Sequence, residues 1–396
     1  MTVRGLFTKP SRFGIVSRSR RGHAPMNSIE WKITALATKV LPGPDDRQRL
    51  RRLLPAADKD RLIDTATREG LAGLFYKSFL HAGLLPDFSP RQQETLRFYY
   101  YSTVRCNLKL IRDAAEILEC LHRQGIEVVL LQGMDLLHRL YDDVGLRPLT
   151  DIDLWVHESD RPLLTQILRQ SGCRKDPLYP LTFRKGATVL DIHTHILWAD
   201  RIRARALLMD QHQDQVFGRC EPIVFEAVRT RCLDPYDRLI YLSLHLLKHR
   251  ANRLIWLADI RNLAADWEAV DWNALLARAR LLGQQKSIAQ TFFLIGTLLG
   301  YRPPEEIRPK LAPLHPAEKR VLRLRREKGA LPEWSTPLLF LSGRGAAKGA
   351  VFVFETMFPR PEVLRQVFPK TPGNRVFRLY ALRLFQLVGK LKASLR

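Results

Sequence analysis

Cysteine is scarce and scattered in this chain. Its 396 residues hold five, Cys106, Cys120, Cys173, Cys220 and Cys232, an odd number without a Cys-x-x-Cys pair. That spacing argues against a disulfide framework and a thiolate zinc site and suits a reducing compartment, so a cytoplasmic location is expected. Long apolar runs are missing too. No stretch approaches the roughly 18 residues of a membrane-spanning helix, and the longest candidate, "IAQTFFLIGTLLG", reads as a buried helix. The first residues, "MTVRGLFTKPSRFGIVSRSRRGHAP", lack the apolar stretch of a secretory signal. With 46% hydrophobic and 26% charged residues, the composition is that of a folded protein, and the length suggests two or three compact units.

Acidic residues are the other shortage: 64 Lys and Arg face 40 Asp and Glu, a net charge of +24. The excess sits at the ends. Residues 1–25 carry +6 without one acid, residues 26–300 only +5, and residues 301–396 carry +13. Such ends favour contact with polyanions, whether nucleic acid, nucleotide phosphate or anionic lipid, although a solubilising surface gives the same numbers. Met26 opens "MNSIEWKITALATKVL", a natural beginning for a first helix. Residues 1–25 are therefore expected to be a basic flexible tail or an over-extended start.

Periodicity divides the rest. Residues 26–125 read as an N-terminal helical region with a long helix from about Ser89 to Gln124. Residues 126–232 change character. "IEVVLLQG" (Ile126–Gly133), "DIDLWV" and "ATVLDIHTHIL" (Ala187–Leu197) read as strands, "PIVFEAV" as a further candidate, and "MDLLHRLY" and "DRPLLTQILRQSG" as helices. Residues 233–300 return to helix, and 301–396 form a basic helical C-terminal region. The expected class is α+β: a small mixed sheet flanked by helical regions on both sides.

Within "LRPLTDIDLWV" two carboxylates interrupt an apolar strand. Alternation places Asp151, Asp153 and Trp155 on one face, the acids about 7 Å apart. Burying paired carboxylates is costly unless a cation joins them. Asp191 interrupts the strand "TVLDIHTHIL" in the same way. Three carboxylates on neighbouring strands suit Mg²⁺, or Mn²⁺, carrying substrate phosphates. An isolated Asp-x-Asp is also common at strand edges and turns.

These residues resemble a known pattern. "VVLLQGMDLLHRLYDDVGLRPLTDIDLWV" is similar to the core of the polymerase-β-like nucleotidyltransferase superfamily, and more narrowly to the bacterial nucleotidyltransferase family proteins of the NTP_transf_5 type. The shared elements are Gly133, Tyr141, Arg147, Asp151 with Asp153, and Asp191 with His193, followed by the helical "YLSLHLLKHRANRLIWLADIRNLA". The resemblance covers roughly residues 70–300. It implies metal-dependent transfer of a nucleoside monophosphate from an NTP to an unknown acceptor, a small molecule, peptide or nucleic acid, with release of pyrophosphate. Asp151, Asp153 and Asp191 would hold the metal, Asp191 would also help deprotonate the acceptor, and Gly133 at a helix N-terminus would admit phosphate to backbone amides. Where the family has lysine this chain has Gln132, a donor without charge, and Met134 follows the glycine. Arg139 and Arg147 are the nearby compensating cations.

Other residues carry two readings each. Arg147 would clamp a triphosphate or form a surface ion pair. His193 and His195 share the face of Asp191, as a transition-metal site or as partners of that carboxylate. His245 and His249 stand one helical turn apart beside Lys248. Lys248 or His249 would face nucleotide or solvent, and Asp259 would pair with one of these bases. "RFYYYSTVR" would stack on nucleic acid or pack as the core of a long helix, and the C-terminal "RLYALRLFQLVGKLK" would lie on anionic membrane or RNA or dock on the body. Three readings of function follow: a metal-dependent nucleotidyltransferase is the first, and a module of the same fold that binds nucleotide or RNA without turnover is the second. A basic scaffold in an envelope or peptide-modification pathway is the third.

Overall fold

The β-branched and apolar runs between Val129 and Cys232 pair into one sheet. In the computed structural model, which describes residues 28–40, 42–199, 202–369 and 376–395, its strands are β1 (Val129–Leu130), β2 (Ile152–Trp155), β3 (Arg174–Lys175), β4 (Thr182–Lys185), β5 (Thr188–His193), β6 (Glu221–Phe225) and β7 (Val228–Cys232). The order across the sheet is β3-β4-β5-β2-β1-β7-β6. Strand β2 runs parallel to β5 and antiparallel to β1, while β1 runs parallel to β7. The sheet is mixed and the molecule α+β. The basic tail at 1–25 lies outside the described residues.

All four residues of β2 are buried, because helices cover the sheet. The long helix Pro90–Arg123 is fixed at its start by reciprocal bonds: Gln92 N donates to Ser89 Oγ (3.3 Å), and Ser89 N donates to Gln92 Oε1 (3.0 Å). Its Asn107 reaches into the loop before β2, donating to the carbonyls of Val144 and Arg147 and accepting from Leu149 N. The helices Pro235–Lys248, Leu254–Leu263 and Gln285–Leu299 pack on one another, and one apolar core runs from Trp31 through the sheet to Phe352.

Strand expectations need three corrections. Ile126–Gly133 is strand only at Val129–Leu130, since Gln132 and Gly133 open the helix Gln132–Arg139. Ala187–Leu197 is strand only to His193. "PIVFEAV" is no single strand: Glu226 and Ala227 both take positive φ (47° and 67°), and the chain folds back into the β6–β7 hairpin. Strands β3 and β4 were not anticipated. Their "RK" and "TFRK" carry too few apolar residues to signal a strand.

The sheet is tied to the following helices by a buried ion pair. Arg147, before β2, places Nη2 2.9 Å from Asp259 Oδ2, with both side chains almost fully enclosed, and Tyr141 Oη donates to Asp259 Oδ1 at 2.6 Å. Asp259 was expected to pair with a base of the His245–His249 turn; it accepts from Arg147 and Tyr141 instead, because the Leu254–Leu263 helix turns it towards the loop before β2. Removing one partner strands the other charge in the interior. Asp259→Ala is expected to lower stability by about 3–5 kcal/mol, seen as a lower urea midpoint at unchanged slope, and Arg147→Met/Asp259→Leu should recover most of that loss.

Candidate active site

The site is built by strand register. Asp153 on β2 is the Cα partner of Asp191 on β5, and Trp155 that of His193. Neighbouring residues of parallel strands project to the same side, so Asp153, Asp191 and His193 converge. One ligand atom from each lies within 4.8 Å of the others. Asp153 and His193 are buried and Asp191 half-buried. Asp151, one residue ahead of β2, is half-buried, accepts from Thr150 Oγ1 (2.9 Å) and is not in that group of three.

Each carboxylate has a neighbour that holds it. His193 Nε2 lies 2.9 Å from Asp153 Oδ1. Thr182, opposite Asp191 in the β4–β5 register, donates its hydroxyl to Asp191 Oδ1 at 2.8 Å. Burial, then the charge of Asp151, raises the Asp153 carboxyl above the ordinary range, with Asp191 adding to the repulsion and His193 opposing it. Two carboxylates and an imidazole brought this close, with the acid proton favoured over bare charge, form a site that a cation would relieve. The oxygen donors of Asp153 and Asp191 suit Mg²⁺ or Mn²⁺. His195 does not join them. It lies beyond the end of β5 and its Nδ1 accepts from Leu197 N at 3.0 Å, closing a turn.

Around the acids the expected nucleotide residues take unequal places. Gln132 begins its helix at φ 52°, a left-handed conformation unusual for a side-chain-bearing residue, and its Nε2 donates to Tyr241 Oη at 3.0 Å. Burial, then repulsion from Asp153, holds the Tyr241 phenol well above its usual pKa, so it keeps its proton beside the acids. Gly133 was expected to admit phosphate; a Cβ there would instead meet the Arg147 guanidinium and the Leu149 side chain. Arg147 was expected to clamp phosphate. Its Nε and Nη2 are committed to Asp259. Burial opposes its charge, but Asp259 more than compensates and holds its pKa above the usual value.

Lys248 places Nζ 3.5 Å from the centroid of the Trp198 ring, a cation–π contact. His249 stacks with His245 (4.5 Å) and Trp256 (5.4 Å). Reasoning from sequence passed over four residues here: Thr182, Trp198, Tyr241 and Arg253. Trp198 Nε1 and His245 Nδ1 are buried without hydrogen-bond partners among the described residues. Arg253 makes no hydrogen bond or ion pair among them either; burial lowers its pKa, while the charges of Glu69 and Asp151 act in the opposite sense. Nothing in the sequence pattern marks Thr182 or Arg253. Trp198 and Tyr241 sit in runs that read as ordinary core.

The profile of the family described as "Uncharacterised nucleotidyltransferase" matches residues 55–300. The chain belongs to that family. The matched span carries the sheet, the convergent acids and the helices behind them. No curated protein matches the chain. Among solved structures, the antibiotic-resistance factor ANT(2'')-Ia is similar at 15% identity over 44% of this chain and 92% of its own, with a TM-score of 0.33. An antigenic nucleotidyltransferase-like protein from Paracoccidioides brasiliensis is similar at 14% identity over 50% and 96%, with a TM-score of 0.32. No helix among the described residues is long and apolar enough to cross a membrane.

His245 generates a pH prediction. Burial, then His249 and Lys248, pushes its pKa well below the ordinary 6.5. A histidine whose folded pKa is depressed leaves the native state binding fewer protons than the unfolded chain below pH 6.5. Its stabilising contribution is therefore complete above that pH and is lost as pH falls. The urea midpoint should fall with acidification below about pH 6.5, and His245→Phe should flatten that slope; an identical slope in the variant would remove His245 as the cause.

Proposed function

We propose that the protein is a Mg²⁺- or Mn²⁺-dependent nucleotidyltransferase that moves a nucleoside monophosphate from an NTP to an acceptor hydroxyl. The observation that carries this reading is the convergence of Asp153, Asp191 and His193 from adjacent parallel strands, in a chain whose family is one of nucleotidyltransferases. Asp153 and Asp191 would hold the cation, with Asp151 at the mouth of the site. When bound, the cation supplies charge neutralisation for the triphosphate and acidifies the acceptor hydroxyl.

The chain's own groups would do the rest. His193 fixes the rotamer of Asp153 and leaves the second carboxylate oxygen for the cation. Thr182 fixes Asp191 by donating to its Oδ1, and Asp191 takes the acceptor proton as the new oxygen–phosphorus bond forms at the α-phosphate. The bond from the α-phosphate to the β-phosphate bridging oxygen breaks, and pyrophosphate leaves. Tyr241 is a neutral donor beside the reacting phosphate. Gln132 brings no charge and Arg147 is held by Asp259, so Lys248 and Arg253 would supply positive charge to the phosphates. Their roles, like those of His249 and Asp259 as supporting groups, belong to this proposal.

The second reading, a nucleotide- or RNA-binding module without turnover, is favoured by Gln132 and by the basic ends. Incubation with α- and γ-labelled NTPs, Mg²⁺ or Mn²⁺ and a panel of hydroxyl acceptors separates the two. Transfer of α-label is expected, with Asp153→Asn reducing its rate at least about a thousandfold as several kcal/mol of charge stabilisation disappears. Arg253→Met should raise KM for the NTP about tenfold, the loss of one charge-assisted contact. Transfer of γ-label would make the protein a kinase, and NTP binding without transfer to any acceptor would favour the binding module.

A further inference from the structure

The C-terminal region leaves apolar surface uncovered. The helix Val376–Leu395 contains Arg378, Arg383, Lys390 and Lys392 and no acidic residue. Phe377, Leu384, Phe385 and Val388 fall at i, i+7, i+8 and i+11, one face of the helix, and are 86%, 47%, 79% and 53% exposed. The opposite face is bonded to protein. Leu379 is buried, Tyr380 Oη donates to Pro359 O at 2.9 Å, and Arg383 Nη2 donates to Thr356 O at 3.0 Å. Those bonds fix the rotation of the helix, so the apolar stripe is held outward. The helix Ala346–Met357 adds exposed Val351, Phe354 and Met357. Ring contacts join the two helices: Phe354 to Phe358 at 5.3 Å and Phe358 to Tyr380 at 6.3 Å. Of the eighteen large hydrophobics exposed among the described residues, nine lie between Trp334 and Val388. They are concentrated on adjoining helices of the C-terminal region, and such a concentration of exposed apolar surface marks an interaction face.

Charge selects the occupant. Residues 301–396 carry +13, so a second copy laid on this face would bring equal charge against it. A stripe of phenylalanine and leucine on a helix whose charged residues are all basic, with an exposed Trp334 in the same region, has the composition of helices that lie in a bilayer interface. Each Lys or Arg near an anionic leaflet contributes attraction that salt screens. We propose that the face formed by Phe377, Leu384, Phe385 and Val388, continued by Val351 and Phe354, seats the protein on an anionic lipid surface. The helix lies on the membrane and keeps its other side packed against the body. This inference is independent of the nucleotidyl-transfer reading, since none of its residues touches the acidic cluster.

Sedimentation of the full chain with phosphatidylcholine vesicles, with and without phosphatidylglycerol, tests it. Binding is expected only where phosphatidylglycerol is present, weakened by added salt. Phe377→Asp/Phe385→Asp should cut it at least about tenfold, the loss of two buried aromatic side chains, with melting temperature and circular dichroism unchanged because both rings face outward. Absence of binding by the unsubstituted chain, or equal binding by the double variant, overturns the proposal. A concentration-dependent dimer in ultracentrifugation that the same substitutions abolish also overturns it, in favour of a second copy. So does RNA binding that these substitutions abolish in a chain that ignores vesicles.

Discussion

The pairing of β2 with β5 imposes the constraint on which this molecule is organised, because it sets two carboxylates side by side with one of them nearly closed off from water. Left alone, such a pair would lose charge or push the strands apart. Here His193 sits against Asp153 and the Thr182 hydroxyl against Asp191, each from a strand whose register allows no other placement. Even so, Asp153 keeps a raised pKa. The remaining cost is the physical reason to think that a cation belongs there, and it is also what makes the site sensitive to anything that alters the sheet.

Behind that pair a second layer of charge keeps the scaffold rigid. Arg147 lies over Gly133, where any side chain would displace it, and reaches Asp259 on a helix more than a hundred residues later. Tyr141 completes the same cluster. Residues that share a motif in sequence thus divide by task. The acids converge on one side of the sheet, while the arginine and the aspartate join the sheet to its helical support. Arg253, with no bond of its own among the described residues, and the protonated Tyr241 remain as groups with donors to offer a substrate.

The acidic strands were legible in sequence because a carboxylate in an apolar β-run is an anomaly that alternation turns into geometry. Pairing Asp153 with Asp191 needed only that the two strands be neighbours. The long helix was legible from Ser89 and Gln92, which cap it, and Gly125, which ends it at φ 71°. Other features were not. The β3–β4 hairpin is rich in basic residues that gain their strand conformation from partners, and it delivers Thr182 to Asp191. The Glu226–Ala227 turn lacks turn residues and was read through. Arg147 looked like a phosphate ligand because its sequence neighbours are the acids of the candidate site; its counter-ion comes from a segment that no local pattern connects to it. His195 shares the alternation of His193, yet β5 stops one step before it.

The ion pair between Arg147 and Asp259 also decides how this chain can be dissected. A fragment severed after Cys232 would keep every strand and all three acids, yet it would carry an enclosed guanidinium with no counter-charge and a Gln132 amide without Tyr241. Strands alone do not make an autonomous unit here. The sheet and the helices that follow it are joined through enclosed charge, so any fragment that is to keep the acids in place must carry both.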